Sequence, residues 1–197
     1  MKTNQMNTKH ISHWEDLILI GDLSVLDFFN GDYEVSLKID GSPSIVWGTN
    51  PMTGNFFVGT KSVFNKVKLK INESHEDIDA NHSGNVAQIL HCCLDSLPRT
   101  EYIYQGDFIG FQGSKEYTPN TITYQFPEVV RQTIIVAPHT CYYAESDIRD
   151  AVAMPDRAIG ELIASGAIGA KASPANEDCG ATGDGALKDN LSMLSSA

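Results

Sequence analysis

The sequence predicts an α+β protein, with antiparallel-rich sheets and one long packed helix. Several short runs alternate apolar and polar residues between turns rich in Gly, Pro and Asn, which is typical of strands. One longer stretch, at residues 83–97, repeats its apolar residues at helical spacing and predicts the helix. Together these patterns favour an antiparallel-rich α+β domain.

Residues 1–30 are predicted to form a helical or docking segment. After a polar lead, the apolar run at 14–20 predicts a short helix or strand. Asp22 is the predicted N-cap of a second helix, which ends at Asn30-Gly31 because these residues favour a helix C-terminus.

A sheet is predicted to follow this segment. Its strands are expected at 33–40, 44–49 and 55–61, and the turn at 50–54 joins the last two as a hairpin. Residues 67–71 alternate with lysines and are predicted to extend the same sheet.

The middle of the chain is predicted to hold the long helix. Residues 72–82 are polar and acidic and predict a loop, and Ser83 then caps a helix that Pro98 ends. Beyond it the patterns predict strands and then helices; the strands are at 100–111, 121–126 and 133–137, and the helices at 145–153 and 156–164.

The predicted domain therefore spans residues 31–164. Residues 165–197 are dominated by Ala, Gly, Ser, Asp and Asn and contain no aromatic side chain. Such a segment buries too little apolar surface to offset its ordering entropy, so a mobile or weakly helical tail is expected.

Composition and charge narrow the class of partner. The chain has 197 residues, of which 42% are hydrophobic and 20% charged, as in a soluble globular domain. A formal charge of −11 argues against a protein that binds nucleic acid over its whole surface. A local basic strip on this acidic body could still contact nucleic acid, or it could be a solvated face; its members are Lys61, Lys66, Lys68 and Lys70.

The cysteines predict neither a zinc site nor a disulfide framework. They stand at 92, 93, 141 and 179, without CxxC spacing, and reduced cysteines fit a cytoplasmic protein. No signal sequence and no apolar run of membrane-spanning length is seen. His139 and Cys141, two residues apart, are expected to share a strand face, but without a third orienting group they predict no catalytic triad.

The first chemical motif is Lys38-Ile39-Asp40-Gly41. Alternation on both sides of Asp40-Gly41-Ser42-Pro43 predicts two strands that meet at or near a tight turn. Lys38 would then lie within reach of a ligand at the strand end, where a lysine held neutral can act as a covalent nucleophile. The alternative is ordinary turn chemistry beside a solvated lysine on an edge strand.

The second motif is Gln105-Gly106-Asp107-Phe108, inside an otherwise apolar strand. A glycine there often marks the close approach of a ligand or of another backbone. An aspartate is disfavoured there, and if buried it needs a partner such as hydroxyl groups or a lysine. The alternative is a bulge that turns Asp107 to solvent.

These motifs together resemble those of the covalent nucleotidyltransferase superfamily, which includes ATP-dependent DNA ligases, RNA ligases and mRNA capping enzymes. Lys38-Ile39-Asp40-Gly41 is similar to the first motif of the superfamily, KxDG. Gly59-Thr60-Lys61-Ser62 is similar to the basic motif that follows, and Gln105-Gly106-Asp107-Phe108 to the third motif. The general layout most resembles phage-type ligase-like proteins, which would act in the host cytoplasm.

The resemblance implies an ATP-grade nucleotidyltransferase fold, similar to a ligase adenylation domain, and a lysyl-AMP intermediate. Lys38 would attack the α-phosphate of ATP and keep AMP as pyrophosphate leaves. Asp40, Gly41, Lys61 and Asp107 would complete the nucleotide site, with Asp107 accepting hydrogen bonds from the ribose. Mg²⁺ is the implied cofactor, with no protein ligand assigned to it.

The sequence also departs from the superfamily pattern. Asp107 stands where glutamate is commoner, and Ser42-Pro43 replaces a basic residue that often follows KxDG. No Glu-Gly-hydrophobic-hydrophobic motif and no closing Lys-x-Lys follows residue 110. The alternative is therefore a non-catalytic nucleotide-binding or structural protein, phage-like, that keeps the sheet.

Overall fold

A computed structural model describes residues 14–30 and 39–154 and two short segments at 172–174 and 180–182. Within these ranges the α-helices are α1 (Trp14–Leu19), α2 (His75–Asn81) and α3 (Gly84–Ser96). Three 3-10 helices lie at Leu23–Asn30, Lys61–Phe64 and Ile148–Asp150. The strands are β1 (Ser44–Thr49), β2 (Phe56–Gly59), β3 (Ile103–Phe111), β4 (Glu116–Tyr117), β5 (Thr123–Gln125), β6 (Ile134–Tyr143), β7 (Val152–Ala153), β8 (Ala172–Pro174) and β9 (Gly180–Thr182).

The strands form two sheets. The larger has the order β2-β1-β3-β6-β7 with every pair antiparallel, and β8 joins β6 in parallel. The smaller sheet has the order β4-β5-β9 and is antiparallel. The prediction of a mixed α and β protein with antiparallel sheets is confirmed.

The helix α3 covers one face of the larger sheet. Leu90 and Cys93 of α3 pack against side chains of β1 and β3 in one apolar cluster, the helix-side cluster, which includes Trp47, Tyr104 and Phe108. Because successive strand residues point to opposite faces, Val46 of β1 and Ile103 of β3 belong to the other face. The predicted long helix and its packing are confirmed.

Two further clusters lie on the opposite face. The Phe57 cluster, at the β2 side, holds Val46, Phe57, Val63, Ile103, Tyr142, Ile148 and Ala151. The Tyr124 cluster, beneath the smaller sheet, holds Ile39, Ile109, Tyr117, Tyr124, Phe126, Val130, Ile135 and Ala137. Along β3, Ile103 belongs to the first and Ile109 to the second, so the positions between them separate the two clusters.

Several strand predictions are confirmed with small shifts of boundary. β1 has the bounds predicted for it, and β2, β3 and β5 lie inside their predicted ranges. β6 continues six residues past its predicted end at 137, because it pairs with β3 over nearly its whole length. The N-terminal helix α1 also matches its prediction, while the segment capped by Asp22 is a 3-10 helix.

The prediction of a loop at 72–82 is wrong. Ser74 and Asp77 form a capping box that begins α2: the Asp77 N–H donates to Ser74 Oγ at 3.2 Å, and the Ser74 N–H donates to Asp77 Oδ2 at 3.1 Å. The Ser-x-x-Asp spacing in the sequence is the signal for this start. The acidic composition of the segment reflects its exposed helix face.

Two other predictions are also wrong. Residues 67–71 do not extend the sheet; they follow an irregular path with Val67 almost fully exposed, and only the next residue, Asn72, bridges to Val58. The predicted helix at 145–153 is a short 3-10 turn followed by β7, because the exposed edge of β6 pairs with Val152–Ala153.

The remaining predictions fall mainly outside the described residues. These are the strand at 33–38, the helix at 156–164 and most of the tail, whose described residues form β8 and β9. None of the described helices is long and apolar enough to cross a membrane.

Candidate functional site

The two motifs that carry carboxylates lie side by side in the larger sheet. Ser44 of β1 is in register with Asp107 of β3. Before β1 begins, the Ser42 N–H donates to the Phe108 carbonyl at 2.9 Å, and the Phe108 N–H donates to the Pro43 carbonyl at 3.0 Å. Residues 42–43, which lie just before β1, are therefore hydrogen-bonded to β3, while most of the strand predicted to precede the turn lies outside the described residues.

Gly41 is required by this close approach. A Cβ atom at Gly41 would lie 2.3 Å from the carbonyl oxygen of Phe108 and 2.8 Å from Cδ1 of Ile109. Both contacts are far below van der Waals distance, and the nearer one involves backbone that cannot rotate away. The glycine of the first motif thus lets its chain lie directly against the third motif.

Asp40 is held by the smaller sheet. The Asp40 N–H donates to Tyr124 Oη at 2.8 Å, and the same hydroxyl donates to the Asp40 carbonyl at 3.1 Å. The carboxylate is exposed and accepts a hydrogen bond from Asn120 Nδ2. Tyr124 itself is fully buried, so β5 fixes the backbone of Asp40, while Asn120, before β5, holds its carboxylate.

Asp107 is buried, with 5% of its surface exposed. A β-bulge lies beside it, since the register between β3 and β6 shifts after Gln105, but it does not turn the carboxylate to solvent as the alternative prediction had it. Nε2 of His139 lies 3.5 Å from Asp107 Oδ1, and Nδ1 of His139 lies 2.8 Å from Thr140 Oγ1. His139 is thus a neighbour of this carboxylate that the sequence prediction, of hydroxyl groups or a lysine, did not include.

A chain of neutral hydrogen bonds continues from this pair toward β1. Gln105 Nε2 donates to Ser44 Oγ at 3.0 Å, and Tyr142 Oη donates to Gln105 Oε1 at 2.9 Å. Burial raises the pKa of the Tyr142 hydroxyl, which keeps it a donor. We call the whole group the polar row; its members are Ser44, Gln105, Asp107, His139, Thr140 and Tyr142.

The polar row lies between the Phe57 and Tyr124 clusters on the face away from α3. Four of its members are buried, while Ser44 and His139 are partly exposed and give solvent access to it. Buried polar groups cost free energy unless they are hydrogen-bonded. In this row, hydrogen bonds between side chains link three strands, β1, β3 and β6. The partly exposed members can form hydrogen bonds with hydroxyl groups of a bound ligand.

Lys61 follows β2, the strand on the other side of β1. Gly59 is in register with Val46, and Thr60 caps the 3-10 helix that begins at Lys61 by accepting a hydrogen bond from the Ser62 N–H at 3.4 Å. Lys61 is exposed. The segments of the three motifs thus occupy adjacent positions across the sheet, while Lys38 lies outside the described residues.

The predicted basic strip is only partly a free surface. Lys66 and Lys68 are exposed, but Lys70 is half-buried and its Nζ donates to the Asn81 carbonyl at 2.7 Å, near the end of α2. The exposed members of the predicted strip are therefore Lys61, Lys66 and Lys68, and we call these three residues the basic surface.

Sequence reasoning missed most of the polar row. The third motif indicates Asp107 but not its neighbour His139, because in the sequence His139 stands close only to Cys141. The bulge at His139 breaks the strand alternation, so Cys141 points to the helix-side cluster, where burial raises its pKa to about 11. The expectation that the two side chains share a face is wrong.

No large metal centre is formed by the described side chains. Within the ranges given above, no group of three or more His, Cys, Asp and Glu side chains is arranged to hold a metal ion. Asp40 and Asp107 offer oxygen atoms of the kind that Mg²⁺ prefers, yet Mg²⁺ commonly takes only one or two protein carboxylates and completes its shell with phosphates and water. The exposed carboxylate of Asp40 fits that role better than the buried one of Asp107.

Comparison with known proteins places the chain in a family without an assigned activity. Residues 7–176 match the model of a family of unknown function, DUF6267, and since this match spans most of the chain, the protein belongs to that family. No curated protein matches the chain. No solved structure matches it either.

Proposed function

We propose that this member of the DUF6267 family binds ATP beside the polar row and transfers AMP to Lys38, in the manner of ATP-dependent nucleic-acid ligases. The observation that supports it is the adjacency of the motif segments. Gly41 contacts Phe108 directly, and Lys61 follows the strand on the other side of β1. Order along the chain suggested the resemblance, and nothing in that order requires the segments to be neighbours in a sheet.

Each residue of the proposed site has a role that follows from its surroundings. Asp107 accepts hydrogen bonds from the ribose hydroxyls, the role that the third motif has in the superfamily, and it is in register with Ser44 of β1 beside the first motif. Asp40, fixed through Tyr124, orients the segment that begins at Lys38. Lys61, which is exposed at the neighbouring strand end, neutralises the phosphates in this proposal.

The proposed transfer forms one bond and breaks one. The neutral amine of Lys38 attacks the α-phosphorus, the bond to the β-phosphate oxygen breaks, and pyrophosphate leaves as the amine gives its proton to solvent. Bound Mg²⁺ would supply charge neutralisation on the phosphates, with Asp40 as its candidate protein ligand.

A second candidate function is nucleotide binding without transfer. The missing late motifs favour it, because the carboxylate of one of them is the expected metal contact in the superfamily. In this case ATP would occupy the same residues and remain intact.

An adduct experiment separates the two functions. Incubation with ATP labelled on the α-phosphate and Mg²⁺ should leave label on the denatured protein, and Lys38→Arg should abolish it because the guanidinium stays protonated. Lys115→Arg, which makes the same change at an exposed lysine outside the proposed site, serves as the matched control and should retain labelling. Reversible ATP binding without label would establish the second function, and the absence of both binding and label would refute the proposal.

A polynucleotide is the partner that we propose for the basic surface, in the cytoplasm of the cell in which the protein acts. Replacing Lys66 and Lys68 with Gln should weaken binding to single- and double-stranded DNA or RNA and reduce the slope of log affinity against log salt by about 2. The control is the double replacement of Lys115 and Arg131, also exposed cations, which should leave the slope unchanged.

A further inference from the structure

The helices α2 and α3 each carry a histidine followed four residues later by an aspartate. The pairs are His75 with Asp79 in α2 and His91 with Asp95 in α3. Residues at this spacing lie on the same face of a helix. The two faces meet, and each histidine bonds to the aspartate of the other helix.

The four side chains form one continuous chain of contacts. His75 Nε2 lies 3.2 Å from Asp95 Oδ1, and His91 Nε2 lies 3.0 Å from Asp79 Oδ1. The two Nδ1 atoms are 2.7 Å apart. The ring centres are 4.9 Å apart and the ring planes differ by 24°, so the rings meet edge to edge with their Nδ1 atoms facing each other.

The outer contacts determine what the inner nitrogens can do. A carboxylate accepts a hydrogen bond from Nε2–H, which leaves Nδ1 of a neutral imidazole with a lone pair. When both rings are held this way, two lone pairs converge on one point, and a positive group must lie between them. Two kinds of positive group fit there: a single proton, shared in a hydrogen bond at the 2.7 Å separation, or a metal ion.

Charge favours a cation with more than one positive charge. The two carboxylates carry two negative charges, and one shared proton neutralises only one of them. A divalent cation would neutralise both. Metal-bound histidines characteristically donate their second ring N–H to a carboxylate, which is the arrangement of both rings here. The pair is also open, since 48% of the His75 side chain and 29% of the His91 side chain are exposed.

We propose that His75 and His91 bind a divalent transition-metal ion of the Zn²⁺ type through their Nδ1 atoms. Asp95 and Asp79 orient the rings, and water completes the coordination. Imidazole nitrogen suits this class of ion. A tetrahedral Zn²⁺ with Zn–N bonds of about 2.0–2.1 Å needs its two nitrogens roughly 3.4 Å apart, so the exposed rings need to separate only slightly. With two protein ligands, the site links α2 to α3.

Zinc titration of the untagged full-length chain tests this site. We expect one equivalent of Zn²⁺ to bind, measured by competition with a chromophoric chelator, and the melting temperature to rise with its concentration. His75→Ala and His91→Ala should each abolish both effects. Asp79→Asn and Asp95→Asn should weaken binding about 10–100-fold, as the loss of an orienting carboxylate does at other metal sites.

The matched control is Glu76→Gln, which removes one negative charge at an exposed position next to His75. It should leave the affinity unchanged, whereas equal effects in Glu76→Gln and Asp79→Asn would overturn the orienting role. Failure of the wild type to bind Zn²⁺, or unchanged binding in the histidine variants, would overturn the site itself. Lys38→Arg should bind Zn²⁺ normally, because this site is independent of the proposed nucleotide chemistry.

Discussion

At the scale of single residues, one buried hydroxyl connects the smaller sheet to the first motif. Tyr124 both accepts from and donates to the backbone of Asp40, 84 positions away in the chain. The bonds satisfy the backbone N–H and carbonyl of Asp40, which precedes the start of β1 at Ser44. A tyrosine in a predicted strand offers no sign of this contact in the sequence.

Tyr124→Phe should therefore lower the free energy of unfolding by about 1–3 kcal/mol, since it removes both hydrogen bonds to the Asp40 backbone while preserving the ring. The measurement is urea denaturation. Tyr143→Phe, at an exposed ring, is the control and should change stability by less than about 0.5 kcal/mol. Equal stability of the two variants would contradict the importance of this hydroxyl.

At the scale of elements, α2 and α3 begin with serines that behave differently. Ser74 Oγ accepts a hydrogen bond from the Asp77 N–H and begins α2. Ser83 occupies the N-cap position of α3, as predicted, but its side chain makes no capping hydrogen bond. The longer α3 is stabilised instead by its apolar face against the sheet, whereas the seven-residue α2 depends more on its cap.

Ser74→Ala should accordingly cost about 0.5–2 kcal/mol in the free energy of unfolding. Ser83→Ala should cost much less, because there is no capping bond to lose. Chemical denaturation of both variants measures the difference. A larger loss of unfolding free energy in Ser83→Ala than in Ser74→Ala would contradict the importance of the capping box.

At the scale of the whole molecule, one apolar core joins α3 to the central strands. Cys93 of α3 and Cys141 of β6 both face it and are buried. Burial raises the pKa of both thiols, to about 11 for Cys141. Only the thiolate is a good nucleophile. Both cysteines should therefore be unreactive, because burial keeps reagents away from the thiols and keeps them protonated.

Iodoacetamide at neutral pH should consequently label Cys92, which is half-buried, well before Cys93 and Cys141. Peptide mapping by mass spectrometry distinguishes the adjacent cysteines by fragmentation. Both buried thiols should react together with Cys92 once denaturant unfolds the protein. Rapid labelling of Cys93 in the native protein would mean that α3 is not packed on the sheet as described.

The sequence by itself determined the class of the fold, the hairpin of β1 and β2 and the long helix, because these depend on local periodicity and turn chemistry. It also singled out Asp40 and Gly41 through their similarity to KxDG, and Asp107 because aspartate is unusual in an apolar strand. Only the tertiary structure decided which residues meet them: Tyr124 at Asp40, Phe108 at Gly41 and His139 at Asp107. Those partners are brought together by strand register and by one bulge in β6, and register depends on contacts between segments far apart in the chain.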